Sequence, residues 1–331
     1  MPPRITAEET KILARKMRVR FLVPFAIEDQ LTEITAICES LPNELRLHGK
    51  AFSDSLLAVH ATTSLPYQLA QSKASALHFQ RIHMAERIRS LRVDDEDYAI
   101  PEDERNRKAL TVAREKYNSF SESDDGINAL VADLARTLLE AIEQPSTARA
   151  ADELLYQAVV GLWSAFEVLV RDALIVLLNC HPTVAAQLLN NSHSKRYFEL
   201  PKLSIEELSE AKYDLSSSMG HFILGTRDFS DVRTIKAAFS AISSDAKLIE
   251  VLNDVTLWDL NQRRHLIVHR RGVVDAKYKT STQCQLALGE RISVTPQDLD
   301  KYFRVVIQSA AAFLKGVTMS ASNDPLSVVP E

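Results

Sequence analysis

Glycine is the residue that most narrows what this chain can fold into. Eight occur in 331 residues, where an average protein of that length carries roughly 23. Sandwiches and doubly wound sheets need many turns with positive φ, and glycine adopts those without a steric cost. Alanine, leucine, glutamate and arginine are plentiful instead, so the expectation is an all-α protein. Apolar residues make up 46% and charged residues 25%, the usage of a chain that buries a core rather than staying disordered. The length is about twice that of a usual domain, so one or two domains are expected.

Charge narrows the function less. The formal net charge is −5, and residues 1–150 carry 20 basic and 23 acidic residues, leaving 19 and 21 for the rest. No basic domain announces nucleic acid, so any such binding must come from a local patch. Cys38, Cys180 and Cys284 are widely spaced and form no C-x-x-C pair, which argues against a disulfide framework or a structural zinc and for a reducing compartment. The start, Met1-Pro2-Pro3-Arg4, lacks the apolar core of a signal peptide. The most apolar run, Ala158 to Cys180, contains Glu167, Arg171 and Asp172, so it belongs to a core rather than a membrane. A cytoplasmic protein is expected.

Helix signals recur along the chain. Thr6-Ala7-Glu8-Glu9 has capping-box spacing and opens a helix towards Arg20; Pro24 interrupts before a second stretch from Ile27 to Leu41. Tyr67 to Arg92 reads as a long polar helix ending in Arg81, Arg87, Arg89 and Arg92. Those arginines either track phosphates or form a solvated face. Asp94-Asp95-Glu96-Asp97 reads as a loop, Pro101 as a helix start, and Ile127 to Ile142 has helical periodicity. Glu143 to Thr147 is the expected boundary between residues 1–145, a helical region of unassigned role, and a bundle over 150–317; residues 318–331 are expected to form a tail.

The strongest helix runs from Ala151 to Cys180. Leu155, Val159, Leu162, Phe166, Leu169, Ala173 and Leu177 recur at steps of three or four and form one buried stripe. Ser204 to Glu207 is another capping box, and Ser230 is expected to cap a helix to about Ile242. One further helix is expected from Lys247 to Arg271, stopped by Gly272 in the left-handed conformation. Gln283 to Leu288 and Arg291 to Thr295 are candidates for a small β-hairpin near 283–295, before a last helix opened by Thr295-Pro296 and running towards Val317.

No phosphate-binding glycine loop, nucleophile elbow or H-E-x-x-H is present. The densest chemistry is Arg263-Arg264-His265-Leu266-Ile267-Val268-His269-Arg270-Arg271, followed by Gly272. One reading is an ordinary helix C-terminus, where basic residues complement the macrodipole and the apolar triplet is core. A metal reading places His265 and His269 on one face, but no third ligand is evident and the arginines repel a cation. A catalytic reading starts from metal-independent RNA cleavage. That reaction needs a base for the 2′-hydroxyl, an acid for the 5′-oxygen and positive charge on the phosphorane. Histidine and arginine supply these. At 100° per residue Arg264 and His269 lie about 140° apart, so a two-fold dimer is needed to bring both kinds of group to a shared cleft.

Arg264 to His269 fits the R-x4-H motif of HEPN domains, in which Asn, Asp or His often follows the arginine, as His265 does. Trp258 upstream, His269-Arg270-Arg271-Gly272-Val273-Val274-Asp275 downstream, and the earlier helix with Ser164-Ala165-Phe166-Glu167 and Arg171-Asp172 also resemble bacterial HEPN proteins of the RiboL-PSP-like type. The resemblance covers about Ala151 to Gly316. It implies an up-and-down helical bundle that dimerises, and often an endoribonuclease in toxin or antiviral settings, with RNA as partner and no metal or cofactor. Many relatives of that kind are non-catalytic and bind partners or nucleotides instead.

Under this resemblance Arg264, His265 and His269 are the catalytic residues, and Arg263, Arg270 and Arg271 hold neighbouring phosphates. Glu167 either pairs with Arg171 at i,i+4, the favoured reading, or orients Arg264 or His269 across the bundle. HEPN toxins silenced by a nucleotidyltransferase antitoxin often carry a tyrosine two residues after the histidine. Here Arg271 stands there, so that mode of control is not supported, although an antitoxin or sensor protein remains an expected partner.

Overall fold

The computed structural model describes residues 6–92, 100–199, 202–215, 218–225, 229–243 and 245–322. Among them are fourteen α-helices and no strand, the all-α architecture expected from the scarcity of glycine.

Helix α1 (Ala7–Met17) begins at the Thr6 capping box, with Thr6 Oγ1 accepting from the Glu9 N–H and the Glu9 carboxylate accepting from the Thr6 N–H. Helix α2 (Ile27–Glu39) follows Pro24 and buries Ile27, Leu31, Ile34 and Cys38 at steps of three and four. Helix α3 (Asn43–Arg89) is much longer than the expected Tyr67–Arg92 and carries Pro66 in its interior. A mid-helix proline removes one hydrogen bond and typically ends the helix. Here Leu45, Phe52 and Leu56 before it and Ala70 and Ala74 after it are all buried, and that burial on both sides carries the helix through. Helices α4 (Glu102–Glu122) and α5 (Asp124–Ala141) come next. Asp94 to Asp97, expected as a loop, lie outside the described residues.

Helix α6 (Pro145–Cys180) contains the expected stripe, and Trp163, Phe166 and Val170 are fully buried. Short helices α7 (Pro182–Asn190), α8 (Ile205–Glu210) and α9 (Met219–Leu224) follow, α8 opened by the expected Ser204 capping box. Helix α10 (Val232–Ile242) is capped by Asp231, whose carboxylate accepts from the Arg233 N–H, rather than by Ser230. The Ser230 carbonyl is used elsewhere, accepting from Asn261 Nδ2 at 2.6 Å.

The expected helix from Lys247 to Arg271 is two helices, α11 (Ala246–Leu252) and α12 (Val255–Arg270). Asp254 caps the second through the Thr256 N–H at 2.6 Å. An aspartate side chain competes for backbone donors, and this splits an otherwise continuous helical pattern. Helix α13 (Ala276–Thr282) and helix α14 (Pro296–Ser322) complete the chain. Helix α14 runs past the expected end at Val317, while residues 323–331 of the expected tail lie outside the described residues.

The expected hairpin does not form. Residues 289–292 pair instead with 272–274, through Val274 N–H to the Glu290 carbonyl (2.8 Å) and Ile292 N–H to the Gly272 carbonyl (2.9 Å). Helix α13 takes the turn after Asp275, so the nearest free edge for Arg291 is the segment after α12.

The chain divides into two compact units, one of residues 1–24 and 61–154, the other of residues 25–60 and 155–331. The division differs from the expected boundary at 143–147, because residues 25–60 share a core with the C-terminal half. In the first unit Met17, Phe21, Ala70, Ala74, Leu134, Ala135, Leu138 and Ala151 form a small core. His78 Nε2 lies 3.0 Å from Asp133 Oδ2 and stacks on Phe120. In the second, α6 and α14 supply the largest buried side chains, among them Trp163, Phe166, Phe303 and Phe313, and α2 adds Ile27, Leu31 and Ile34.

Candidate active site

Helix α12 carries the R-x4-H residues in the second unit. Leu257, Leu260, Asn261, Leu266 and Ile267 face the core, and this burial fixes the rotation of the helix. Arg264 lies near that inner side. Its side chain is 16% exposed, and Nη2 lies 3.6 Å from Glu167 Oε2 on α6. Arg264 Nε is buried and makes no hydrogen bond. The favoured Glu167–Arg171 pairing is therefore corrected: Arg171 bonds Asp172 at 2.9 Å, and Glu167 faces Arg264. A carboxylate one helix away is a better partner because Arg264 cannot reach water freely.

His265, Val268, His269, Arg270 and Arg271 are exposed. The His265 and His269 rings sit one above the other, centroids 4.4 Å apart. Loss of solvent holds the His265 imidazole below its ordinary pKa, reinforced by positive charge from His269, Lys277 and Arg264 and opposed by Asp231. Within one chain Arg264 points inward and His269 outward, as their angular offset requires. The structure thus brings His265 and His269 together and keeps Arg264 apart from them.

Arg263 is not displayed to solvent as the phosphate-holding role requires. Its Nε lies 3.1 Å from Asp259 Oδ2, and Nη1 donates to the Ser293 carbonyl (3.0 Å) and Asp298 (3.5 Å). The Tyr302 hydroxyl donates to Asp259, and Asp298 accepts from the Thr295 N–H and hydroxyl, each at 3.0 Å. Burial pushes the Tyr302 phenol up and the Tyr278 phenol up to about 12. Arg263 ties α12 to the start of α14. Of its partners, Asp259 was readable as an i,i+4 neighbour, but nothing in the spacing points to Asp298 or Tyr302.

Arg270 lies 3.7 Å from Asp275 and is largely exposed. Arg271 ends α12 with φ +52°, and Gly272 follows at φ +77°, so the left-handed turn spans two residues rather than glycine alone. The Arg271 N–H bonds the Ile267 carbonyl at 2.9 Å, and the Gly272 N–H bonds the Leu266 carbonyl at 3.2 Å. The Tyr156 hydroxyl on α6 donates to the Ile292 carbonyl and presses against Gly272. In the first unit, Arg81 lies 3.8 Å from Asp133 and Arg89 3.8 Å from Glu86, which places both in ion pairs of the fold.

Among the described residues no group of three His, Cys, Asp or Glu could hold a metal ion. No helix among them is long and apolar enough to cross a membrane. Compared with protein-family models, with curated proteins and with solved structures, the chain matches none.

Proposed function

We propose that the chain is a metal-independent endoribonuclease of the HEPN type, working as a homodimer through α12. The observation that supports this reading most is the exposed His265–His269 pair, carried on the same helix as Arg264, which turns inward to Glu167 and reaches His265 through its charge. His269 serves as general base or acid and His265 supports it; Arg264 stabilises the phosphorane. The 2′-oxygen bonds phosphorus as its proton passes to the base. The bond to the 5′-oxygen then breaks as the acid protonates it, leaving a cyclic phosphate and a 5′-hydroxyl. The depressed His265 pKa keeps that imidazole neutral, so it supports His269 without adding a second positive charge beside it. Arg270 and Arg271 hold neighbouring phosphates, while Arg263 is assigned to the fold.

Val255, Trp258, Gln262, His265 and His269 follow one another at alternating steps of three and four, the spacing of a helix–helix seam. Val255 is 77% exposed. A two-fold mate seated on this seam brings four histidines to one cleft and buries at least about 1,000 Å². A toxin or antiviral effector in the cytoplasm, restrained by an antitoxin or released by a sensor protein, is the setting such an enzyme suits. A second reading, a non-catalytic adaptor or nucleotide- or RNA-binding protein, is favoured by the Glu167–Arg264 pair, which neutralises charge that a phosphorane requires.

Incubation with total RNA in EDTA, with mapping of the cut ends, tests the proposal. The parent is expected to leave cyclic phosphate ends. His269→Ala should lose about 10²–10⁴ in rate and Arg264→Ala about 10²–10³. Cleavage by His269→Ala at the parental rate in a contamination-controlled assay overturns the assignment, as does an inactive parent. A monomer at micromolar concentration with full activity overturns the dimer.

A further inference from the structure

We propose that the groove between α2 and α3 binds a short apolar peptide of about three residues with free termini. The groove encloses about 360 Å³, within the range of small-ligand sites. Its floor is apolar: Leu31 and Cys38 of α2 are buried, and Leu57 of α3 is half-buried. Gly49 allows the two helices to close at the floor, since a Cβ there would meet Cys38 Sγ at 2.2 Å.

The helices run antiparallel, and two contacts set their register. Gly49 lies against Cys38, and the Phe25 N–H donates to His60 Nε2 at 3.3 Å. Glu28 therefore stands at the same end as Asp54, and Arg46 at the opposite end, beside Glu39. Lys50 lies between, with the Thr35 and Ser53 hydroxyls. None of these charged side chains forms an ion pair among the described residues; Arg46 only donates to Asn43 Oδ1 on its own helix. The groove thus has two carboxylates at one end and Lys50 and Arg46 with a single carboxylate, Glu39, toward the other, so its charge runs from negative to net positive along an apolar floor edged by hydroxyls.

That pattern is complementary to a molecule with an ammonium at one end, a carboxylate at the other and an apolar middle. Asp54 and Arg46 are eight residues apart on one helix, a rise of about 12 Å. An extended tripeptide spans roughly 10 Å. Its ammonium sits between Glu28 and Asp54, its carboxylate meets Lys50 and Arg46, and its amides meet Thr35 and Ser53.

Isothermal titration of the full chain with trileucine tests this, with no dependence on RNA cleavage. Saturable one-to-one binding is expected. N-acetylated or C-amidated trileucine should each bind at least about fivefold more weakly, since blocking a terminus removes its exposed ion pairs. Asp54→Lys should weaken trileucine to a similar extent. Thr35→Trp, at an exposed rim position, should abolish binding while leaving the circular dichroism melt unchanged. No binding by the parent at about 1 mM, the weak end of the affinity scale, overturns the proposal. Equal binding of the blocked and free peptides overturns it too.

Discussion

Gly272 and Gly289 form a matched pair that separates backbone strain from steric exclusion. Both have left-handed φ, +77° and +87°. A Cβ at Gly289 meets nothing within 4 Å, whereas one at Gly272 falls 2.7 Å from Tyr156 Oη and 2.9 Å from its Cζ. Gly289→Ala should therefore cost only the left-handed penalty, about 1–2 kcal/mol. Gly272→Ala carries the same penalty and an overpacking cost of about 1–3 kcal/mol. Tyr156 cannot easily yield, since it is 5% exposed and its hydroxyl is held by the Ile292 carbonyl. The expected sum is about 2–5 kcal/mol, read as a shift in urea midpoint at constant slope. Tyr156→Ala in the Gly272→Ala background should recover the steric part in a double-mutant cycle. Equal destabilisation by the two glycine substitutions would refute the reasoning, because then the Tyr156 contact costs nothing.

Burial and pairing elsewhere in the fold have consequences of the same kind. Glu167→Ala leaves the half-buried Arg264 without its α6 carboxylate and should destabilise by about 1–3 kcal/mol, checked by urea unfolding; Glu167→Ala with Arg264→Met should be less destabilised than Glu167→Ala alone. His60 is buried, accepts the Phe25 N–H through Nε2 and packs edge-on to Phe303. Burial holds its pKa below the ordinary value, with Glu28 opposing. Its contribution is thus present above about pH 6.5 and lost as pH falls through the lowered value. Thermal melts from pH 7.5 to 4.5 should show that loss in the parent and a smaller one in His60→Leu.

What the sequence determined by itself was the class of element and the faces that had to be buried. Few glycines and repeated three-and-four spacing make an all-α chain, and the stripe from Leu155 to Leu177 lies buried as its spacing requires. Capping boxes at Thr6 and Ser204 are local chemistry and were legible for that reason. So was the offset between Arg264 and His269, which follows from helical geometry alone. Tertiary structure decided what depends on partners distant in sequence. Pro66 is tolerated because both halves of α3 find cores. Residues 25–60 join the C-terminal half because α2 finds its apolar partner on α14, a pairing no local pattern encodes. Glu167 meets Arg264 rather than Arg171, and Arg263 turns from the solvent to Asp259, Asp298 and the Ser293 carbonyl. A half-buried guanidinium takes whichever acceptors the packed fold holds within reach, and only the fold says which those are.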